Sequence, residues 1–237
     1  MSDKALVVLS GGQDSMTCLA QAIADCQGHV SAVSFVYGQR HVAEIEAAKK
    51  ICEDWTIPHI VVDLTSILSG GTSALTDTSL EVGKPHPLMP GVPSSFVPMR
   101  NAVFLTIAYG LAMEQGINLI YTGVCETDYS GYPDCRGEFI SMLNRTLGIG
   151  YPAPGEEILI VAPLMHLNKA QTFKLARDLG DMADQDVLGY IIENSVTCYN
   201  GDVTTTHEWG KGCGTCPACE LKANGFEEYK SNYRVDA

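Results

Sequence analysis

ALVVLSGGQDS, residues 5–15, is the stretch whose reading decides the fold. Five apolar residues in a row, 5–9, fit a strand buried on both faces of a parallel sheet. The adjacent Gly11 and Gly12 let the backbone turn tightly and come close to a ligand. From Ser15 the period changes: Met16, Leu19, Ala20 and Ile23 fall at helical spacing through about residue 25. A Gly-rich turn between a buried strand and a helix N-terminus aims unpaired N–H groups at an anion, and phosphate fits there. The hydroxyls of Ser10 and Ser15 are expected to add donors, and Asp14 to cap the helix or help hold Mg2+. No Gly-Lys-Ser/Thr follows, which excludes a Walker loop, and no third glycine lies further into the helix, which excludes the dinucleotide fingerprint.

Outward from this stretch the pattern repeats. Residues 30–35 read as a strand, 43–55 as a helix and 60–64 as a third strand. A helix over 101–115 leads into a strand at 119–122, and a helix over 138–147 precedes a strand at 158–161. Strands alternating with helices predict an α/β fold with a doubly wound, parallel five-stranded sheet. Its ligands should sit beyond the carboxyl ends of the strands, at the loops after strands one, two and four. Residues 66–98, rich in Gly, Pro, Ser and Thr, read as a long irregular excursion over the surface. The expected division is a main α/β domain over 1–185 and a small C-terminal zinc-binding lobe over 186–237.

The lobe is inferred from cysteines. Cys198, then Cys213, Cys216 and Cys219 in two overlapping C-x-x-C steps, can fill a tetrahedral zinc shell. Four sulfurs leave no open position, so the site is expected to be structural, contributing on the order of 10 kcal/mol of apparent binding energy to ordering the lobe. Reduced unligated thiols, a catalytic C-x-x-C pair and an iron–sulfur cluster remain as alternatives. Cys18, Cys26, Cys52, Cys125 and Cys135 are scattered and read as small packing residues.

The chain has 15 Lys and Arg against 28 Asp and Glu, a net charge of −13. No long-range positive field awaits RNA or DNA, so direct nucleic-acid binding is not expected. ATP can still bind, because loop N–H groups and a few cations act at contact distance. The short apolar run near the N-terminus suits neither a signal peptide nor a membrane span, and thiols clustered for a metal suit a reducing compartment, so the cytoplasm is the expected location.

A second candidate cation lies late in the chain. Asn168 and Lys169 open a helix whose buried side carries Phe173, Leu175, Ala176 and Leu179, and Gly180 is expected to close it. Lysine in a first turn opposes the helix dipole, so either a functional ammonium or a solvated surface residue stands there. The functional reading turns it toward a bound phosphate, where an ammonium would balance developing negative charge.

Ser-Gly-Gly-x-Asp-Ser resembles the signature of the PP-loop ATP pyrophosphatases, which cut ATP between its α- and β-phosphates. The wider set of motifs is more specific: residues 10–15, YGQRH at 37–41, FVPMRN at 96–101, GVCETD at 123–128, SGYPDCR at 130–136 and the four cysteines together resemble the 7-cyano-7-deazaguanine synthase family over nearly the whole chain. The resemblance implies an adenine nucleotide alpha hydrolase-like fold. It also implies an ATP-dependent ligase and homodimer that adenylates 7-carboxy-7-deazaguanine, captures ammonia as an amide, then adenylates the amide to leave a nitrile. Residues 9–19 (Leu9, Ser10, Gly11, Gly12, Gln13, Asp14, Ser15, Met16, Thr17, Cys18, Leu19) would surround the nucleotide, with Lys169, Asp14, Ser15 and Arg100 acting in catalysis. Arg40, Arg100 or Arg136 would orient the substrate carboxylate. Glu126, Asp128 or Asp134 would accept protons from the guanine-like edge, with Asn101 and Tyr132 nearby.

Three positions depart from the family pattern: Met99 stands where a glycine is common, Gln171 where an acidic residue is, and the loop at 202–211 is lengthened. A PP-loop tRNA thiolation enzyme and a non-catalytic ATP-binding protein of the same fold are the rival readings. The absence of a basic or aromatic RNA-binding extension opposes the first, and Lys169 with the crowded polar motifs opposes the second.

Overall fold

The computed structural model describes residues 3–40, 42–68, 71–127, 132–153 and 155–233. Strand β1 (Ala5–Val8) lies at the centre of a five-stranded parallel sheet in the order β3-β2-β1-β4-β5. Its neighbours are β2 (Val30–Val36) and β4 (Leu119–Thr122), with β3 (His59–Asp63) and β5 (Leu159–Val161) at the edges. Alternation along β1 explains the two layers. Ala5, Val7 and Leu9 pack on one side with α1 (Gln13–Asp25) and α2 (Ala43–Asp54), while Leu6 points to the other. Below Leu6 lie α4 (Arg100–Gln115) and α5 (Gly137–Ile149), and a single turn, α3 (Thr65–Leu68), follows β3. Each predicted strand and helix is present, within two residues of its expected ends except at the C-terminus of the helix that opens at Lys169.

Strand order reverses at β1, because β2 departs to one side and β4 is added on the other. Loops leaving the carboxyl ends of β1 and β4 therefore diverge and leave a crevice between them. The excursion at 66–98 is irregular, as expected, but not wholly superficial. Ser73, Ala74 and Leu75, and again Ser94 to Val97, are buried, and Leu75 reaches the rim of the crevice. Arg40 holds it there, its guanidinium donating to the carbonyls of Asp77 (3.1 Å) and Leu80 (2.8 Å).

Helix α6 (Lys169–Ala183) starts with a reciprocal capping box. The Gln171 N–H donates to Asn168 Oδ1 and the Asn168 N–H to Gln171 Oε1, each at 2.9 Å. Gln171 thus does the work an acidic residue would do at that position. Gly180 does not end this helix, contrary to the sequence reading. Gly180 instead gives room to the chain that returns past the helix, since a Cβ there would lie 2.5 Å from the Gln185 carbonyl oxygen, and Asp184 makes the left-handed turn. Met99 likewise adopts a left-handed conformation, φ 56°, before α4, which is the physical reason a glycine suits that position.

Helix α7 (Val187–Asn194) leads to the cysteine-rich segment, where β6 (Thr206–His207) and β7 (Gly210–Lys211) turn the lengthened loop into a short antiparallel hairpin. Trp209 at its tip is buried and stacks on His207 with ring centroids 4.3 Å apart. The final helix, α8 (Pro217–Tyr233), lies along α6, with Phe226 edge-on to Phe173 at 5.2 Å. Gly225 makes this approach possible, since a Cβ on it would come within 2.4 Å of Lys169 Cβ. Gly225→Ala is expected to lower stability by about 2 kcal/mol, because backbone rather than a flexible side-chain end must move; a urea midpoint equal to that of the unmodified chain would contradict this packing.

Candidate active site

The phosphate loop is braced by its own hydroxyls. Ser15 Oγ accepts the N–H groups of Ser10 (3.1 Å) and Gly11 (3.2 Å) and donates to the Gly12 carbonyl (3.0 Å), while the Gly12 N–H points at Ser10 Oγ (3.3 Å). Amides that face hydroxyl oxygens in this way can face phosphate oxygens at the same positions. Gly11, φ 87°, lies where a Cβ would meet the Glu44 carbonyl oxygen at 2.0 Å, so α2 closes the loop from behind. Gly123 allows a similar contact, since a Cβ would lie 3.0 Å from the Ser15 nitrogen.

Asp14 does not cap α1. Gly12 precedes the helix without a side-chain cap, and the Asp14 carboxylate instead takes both its hydrogen bonds from the Lys169 ammonium, at 2.7 and 2.8 Å. Lys169 is 7% exposed, so it is no solvated surface lysine. This is a partly buried ion pair linking the first turns of α1 and α6, which offsets the unfavourable dipole position of the lysine.

A cleft of about 250 Å3 opens over the loop. Leu9, Ser10, Gly12, Gln13, Asp14 and Ser15 form one wall, with Gly11 beneath them. Met16, Thr17, Cys18 and Leu19 are turned into the core and do not reach it. The opposite wall holds Arg40, Arg100 and Asn101 with Phe35, Tyr37 and Phe104. Arg100 donates to the Tyr37 hydroxyl (3.3 Å) and lies over its ring. Asp134 is buried behind this wall, where Oδ2 accepts the Asn101 N–H at 3.0 Å and so serves the uncapped start of α4. Tyr132 is also buried, its hydroxyl on Ser95 at 2.7 Å. Arg136 is exposed outside the cleft, and Glu126 lines a separate hollow beside His166, accepting the Gly137 N–H. Asp128 lies outside the described residues.

Sequence reasoning missed the strap that completes the cleft. Residues 195–199 run along the phosphate loop: the Val196 N–H donates to the Gly11 carbonyl (3.0 Å), and the Gln13 N–H points at Thr197 Oγ1 (3.5 Å). Thr197, Cys198 and Tyr199 then line the cleft. Glu44, three residues beyond the YGQRH motif, was missed as well and also lines it. Burial lifts its carboxyl to about 7, with Arg100 pulling the other way. The phenols of Tyr37 and Tyr199 are likewise pushed up by burial.

The strap carries the first of the clustered cysteines. The sulfurs of Cys198, Cys213, Cys216 and Cys219 all lie within 4.8 Å of one another, the spacing of thiolates around a single ion. The Cys213 N–H points at Cys198 Sγ (3.4 Å), and the Cys216 thiol is drawn down below the usual thiol range, chiefly by its hydrogen bond with Cys219 and against its burial. The donor set fits a soft or borderline metal bound as thiolates. Gly212 gives the ligands room, since a Cβ would come within 2.6 Å of Cys219 Sγ. Nearby, Lys222 is 1% exposed, donating to Ser195 Oγ (3.0 Å) beside the Trp209 ring, and thereby fixes the root of the strap.

A double-mutant cycle tests the ion pair. Lys169→Met strands a partly buried carboxylate and is expected to cost about 3 kcal/mol, of which Asp14→Asn in the same chain restores more than half. Additive losses in urea denaturation would show the two groups to be independent.

Residues 4–230 match the family described as queuosine biosynthesis protein QueC. Curated relatives include the 7-cyano-7-deazaguanine synthase of Wolinella succinogenes, 47% identical over 98% of this chain and 95% of its own length. The 7-cyano-7-deazaguanine synthase of Staphylococcus saprophyticus is 44% identical over 99% of this chain and 97% of its own. Among solved structures, the U34-tRNA thiolase NcsA of Methanococcus maripaludis with its [4Fe-4S] cluster aligns with 98% of this chain and 68% of its own at 14% identity and a TM-score of 0.48. With a family match spanning almost every residue from the first strand to the last helix, the chain belongs to the QueC family.

Proposed function

We propose that this chain is an ATP-dependent ligase that converts 7-carboxy-7-deazaguanine and ammonia to 7-cyano-7-deazaguanine, releasing AMP and pyrophosphate. The observation that carries the reading is the braced loop at residues 10–15, opening at the switch point of the sheet onto a cleft whose far wall offers Arg100 and flat aromatic surfaces. On binding, loop N–H groups would leave the Ser10 and Ser15 hydroxyls for the β- and γ-phosphates. Asp14, held by Lys169 on both oxygens, stands where Mg2+ on the triphosphate can be met, and the Lys169 ammonium balances charge that develops as pyrophosphate departs. Arg100, with Arg40 and Asn101 beside it, would orient the substrate carboxylate, and Phe35, Tyr37 and Phe104 would flank its ring.

The chemistry uses one centre twice. A carboxylate oxygen attacks the α-phosphorus of ATP and expels pyrophosphate; ammonia then displaces AMP at the acyl carbon and leaves an amide. The amide oxygen is adenylated by a second ATP, and loss of AMP with the remaining N–H protons leaves the nitrile. Both oxygens are poor leaving groups until they carry AMP, which is why the same phosphate loop can serve each stage.

For the metal we assign structural Zn2+. A closed set of four thiols leaves no open position, and sulfurs this close together favour a single ion over a cubane cluster, whose irons must be interposed between them. The same closure leaves no C-x-x-C pair free to carry sulfur. A net charge of −13 favours a small-molecule substrate over nucleic acid. Among the described residues no helix is long and apolar enough to cross a membrane. Reduced, metal-held thiols suit the cytoplasm, and the family resemblance favours a homodimer.

Mass spectrometry of a mixture of 7-carboxy-7-deazaguanine, ATP and ammonium is expected to show the nitrile together with two AMP per nitrile; AMP release indifferent to the acid would sink the reading. Ser15→Ala should weaken ATP binding about tenfold in calorimetry, the loss of one hydrogen bond to a charged group. Elemental analysis is expected to give one zinc per chain, and Cys216→Ser to lose it and melt more than about 5 °C lower.

A further inference from the structure

We propose that Glu44 is the base that takes up the protons shed by the incoming nitrogen, so that one carboxylate serves both the amide-forming and the nitrile-forming stage. The assignment rests on the proposed ligase reaction and goes beyond it in naming the group that removes the protons.

The reaction itself demands such a group. An ammonium ion has no lone pair and must surrender one proton before it can attack. After attack, the C–O bond to AMP breaks, AMP leaves with the electron pair, and a second N–H proton is released as the amide forms. In the second stage the adenylated amide gives up its last two N–H protons; one freed electron pair stays on nitrogen and the other completes the carbon–nitrogen triple bond, while AMP departs with the C–O bonding pair. All four protons therefore leave within reach of one carbon, and each needs an acceptor there.

Few groups in the cleft can act. Among the described residues that line it, the carboxylates are Asp14 and Glu44. Asp14 is occupied on both oxygens by the Lys169 ammonium. Glu44 sits in the first turn of α2, and its own carbonyl packs against Gly11, so the side chain is anchored one residue's reach from the phosphate loop. It faces Arg100 from α4, Tyr37 from the end of β2 and Tyr199 from the strap. Arg100, the group expected to hold the substrate carboxylate, thus places the reacting carbon near Glu44. The two tyrosines stay protonated at neutral pH and cannot compete as bases.

The carboxyl titrates at about 7, raised by burial and restrained by Arg100. A base in that range accepts a proton and returns it to water at the mouth of the cleft without being trapped in either form. Because the working form is the carboxylate, nitrile formation should rise with pH through this value.

The test compares wild type and Glu44→Gln in two assays over a range of pH: ATP–pyrophosphate exchange dependent on 7-carboxy-7-deazaguanine without ammonium, and nitrile formation with ammonium. Expected for the variant are exchange within about threefold of wild type, nitrile formation down by about 100-fold or more, and, at a fixed concentration of free ammonia, loss of the acidic limb near pH 7 from whatever rate remains. Glu44→Asp keeps a carboxylate and should regain part of the nitrile rate, which shows that folding is not at issue. Nitrile formation at the wild-type rate in Glu44→Gln would overturn the assignment, and so would equal loss of exchange and nitrile, which marks a residue that only holds substrate. Absence of both activities in wild type would instead overturn the ligase reading on which the assignment stands.

Discussion

One backbone hydrogen bond, from the Val196 N–H to the Gly11 carbonyl, registers residues 195–199 against the phosphate loop. It places a strap from the far end of the chain against a loop from its beginning. The neighbouring contacts depend on that registration: Thr197 beside the Gln13 N–H, Tyr199 in the cleft and Cys198 among the thiols. Ser195, at the root of the strap, is held by a lysine removed from water. A buried ammonium is costly unless it is hydrogen-bonded and near opposite charge, and Lys222 has the Ser195 hydroxyl, the Trp209 ring and the attraction of Asp14 and Cys219. The cysteine cluster and the phosphate loop are therefore parts of one wall.

The glycines make that wall thin. Gly11 and Gly225 each bring a second backbone or helix within a distance that one methyl group would forbid, and Gly123 brings one within a distance that a methyl group would crowd. Close approach puts α2 behind the loop, the β4 loop beside it and α8 against the base of Lys169. Packing of Gly225 on the Cβ and Cγ of Lys169 already confines the root of that long side chain, so less of its freedom remains to be lost when the ammonium meets Asp14.

The sheet was legible because its signals are local. Apolar runs, helical spacing and the glycine pair each occupy a few consecutive residues, and every strand and helix so inferred exists. The cysteine cluster was legible for the same reason, three of its members lying within seven residues. What escaped was long-range. Thr197 and Tyr199 carry no motif of their own and matter only because the fold lays them along residues 11–13. Glu44 looked like one more polar residue on a helix face, and Asp14 like a cap, until the structure set Arg100 opposite the first and Lys169 beside the second. Gln171 and Met99 looked like departures, yet a capping box accepts Gln as readily as Glu, and a left-handed φ prefers but does not demand glycine.

The strap also bears on how the protein is made. A ribosome emits the phosphate loop 184 residues before Thr197, the hydroxyl that faces its Gln13 amide. At typical translation speeds that interval lasts on the order of ten seconds or more, during which the early strands can pair but the nucleotide cleft lacks a side. A half-finished chain thus has α2 behind its phosphate loop but lacks the strap, and the cleft gains its last side only when residues 195–199 have emerged.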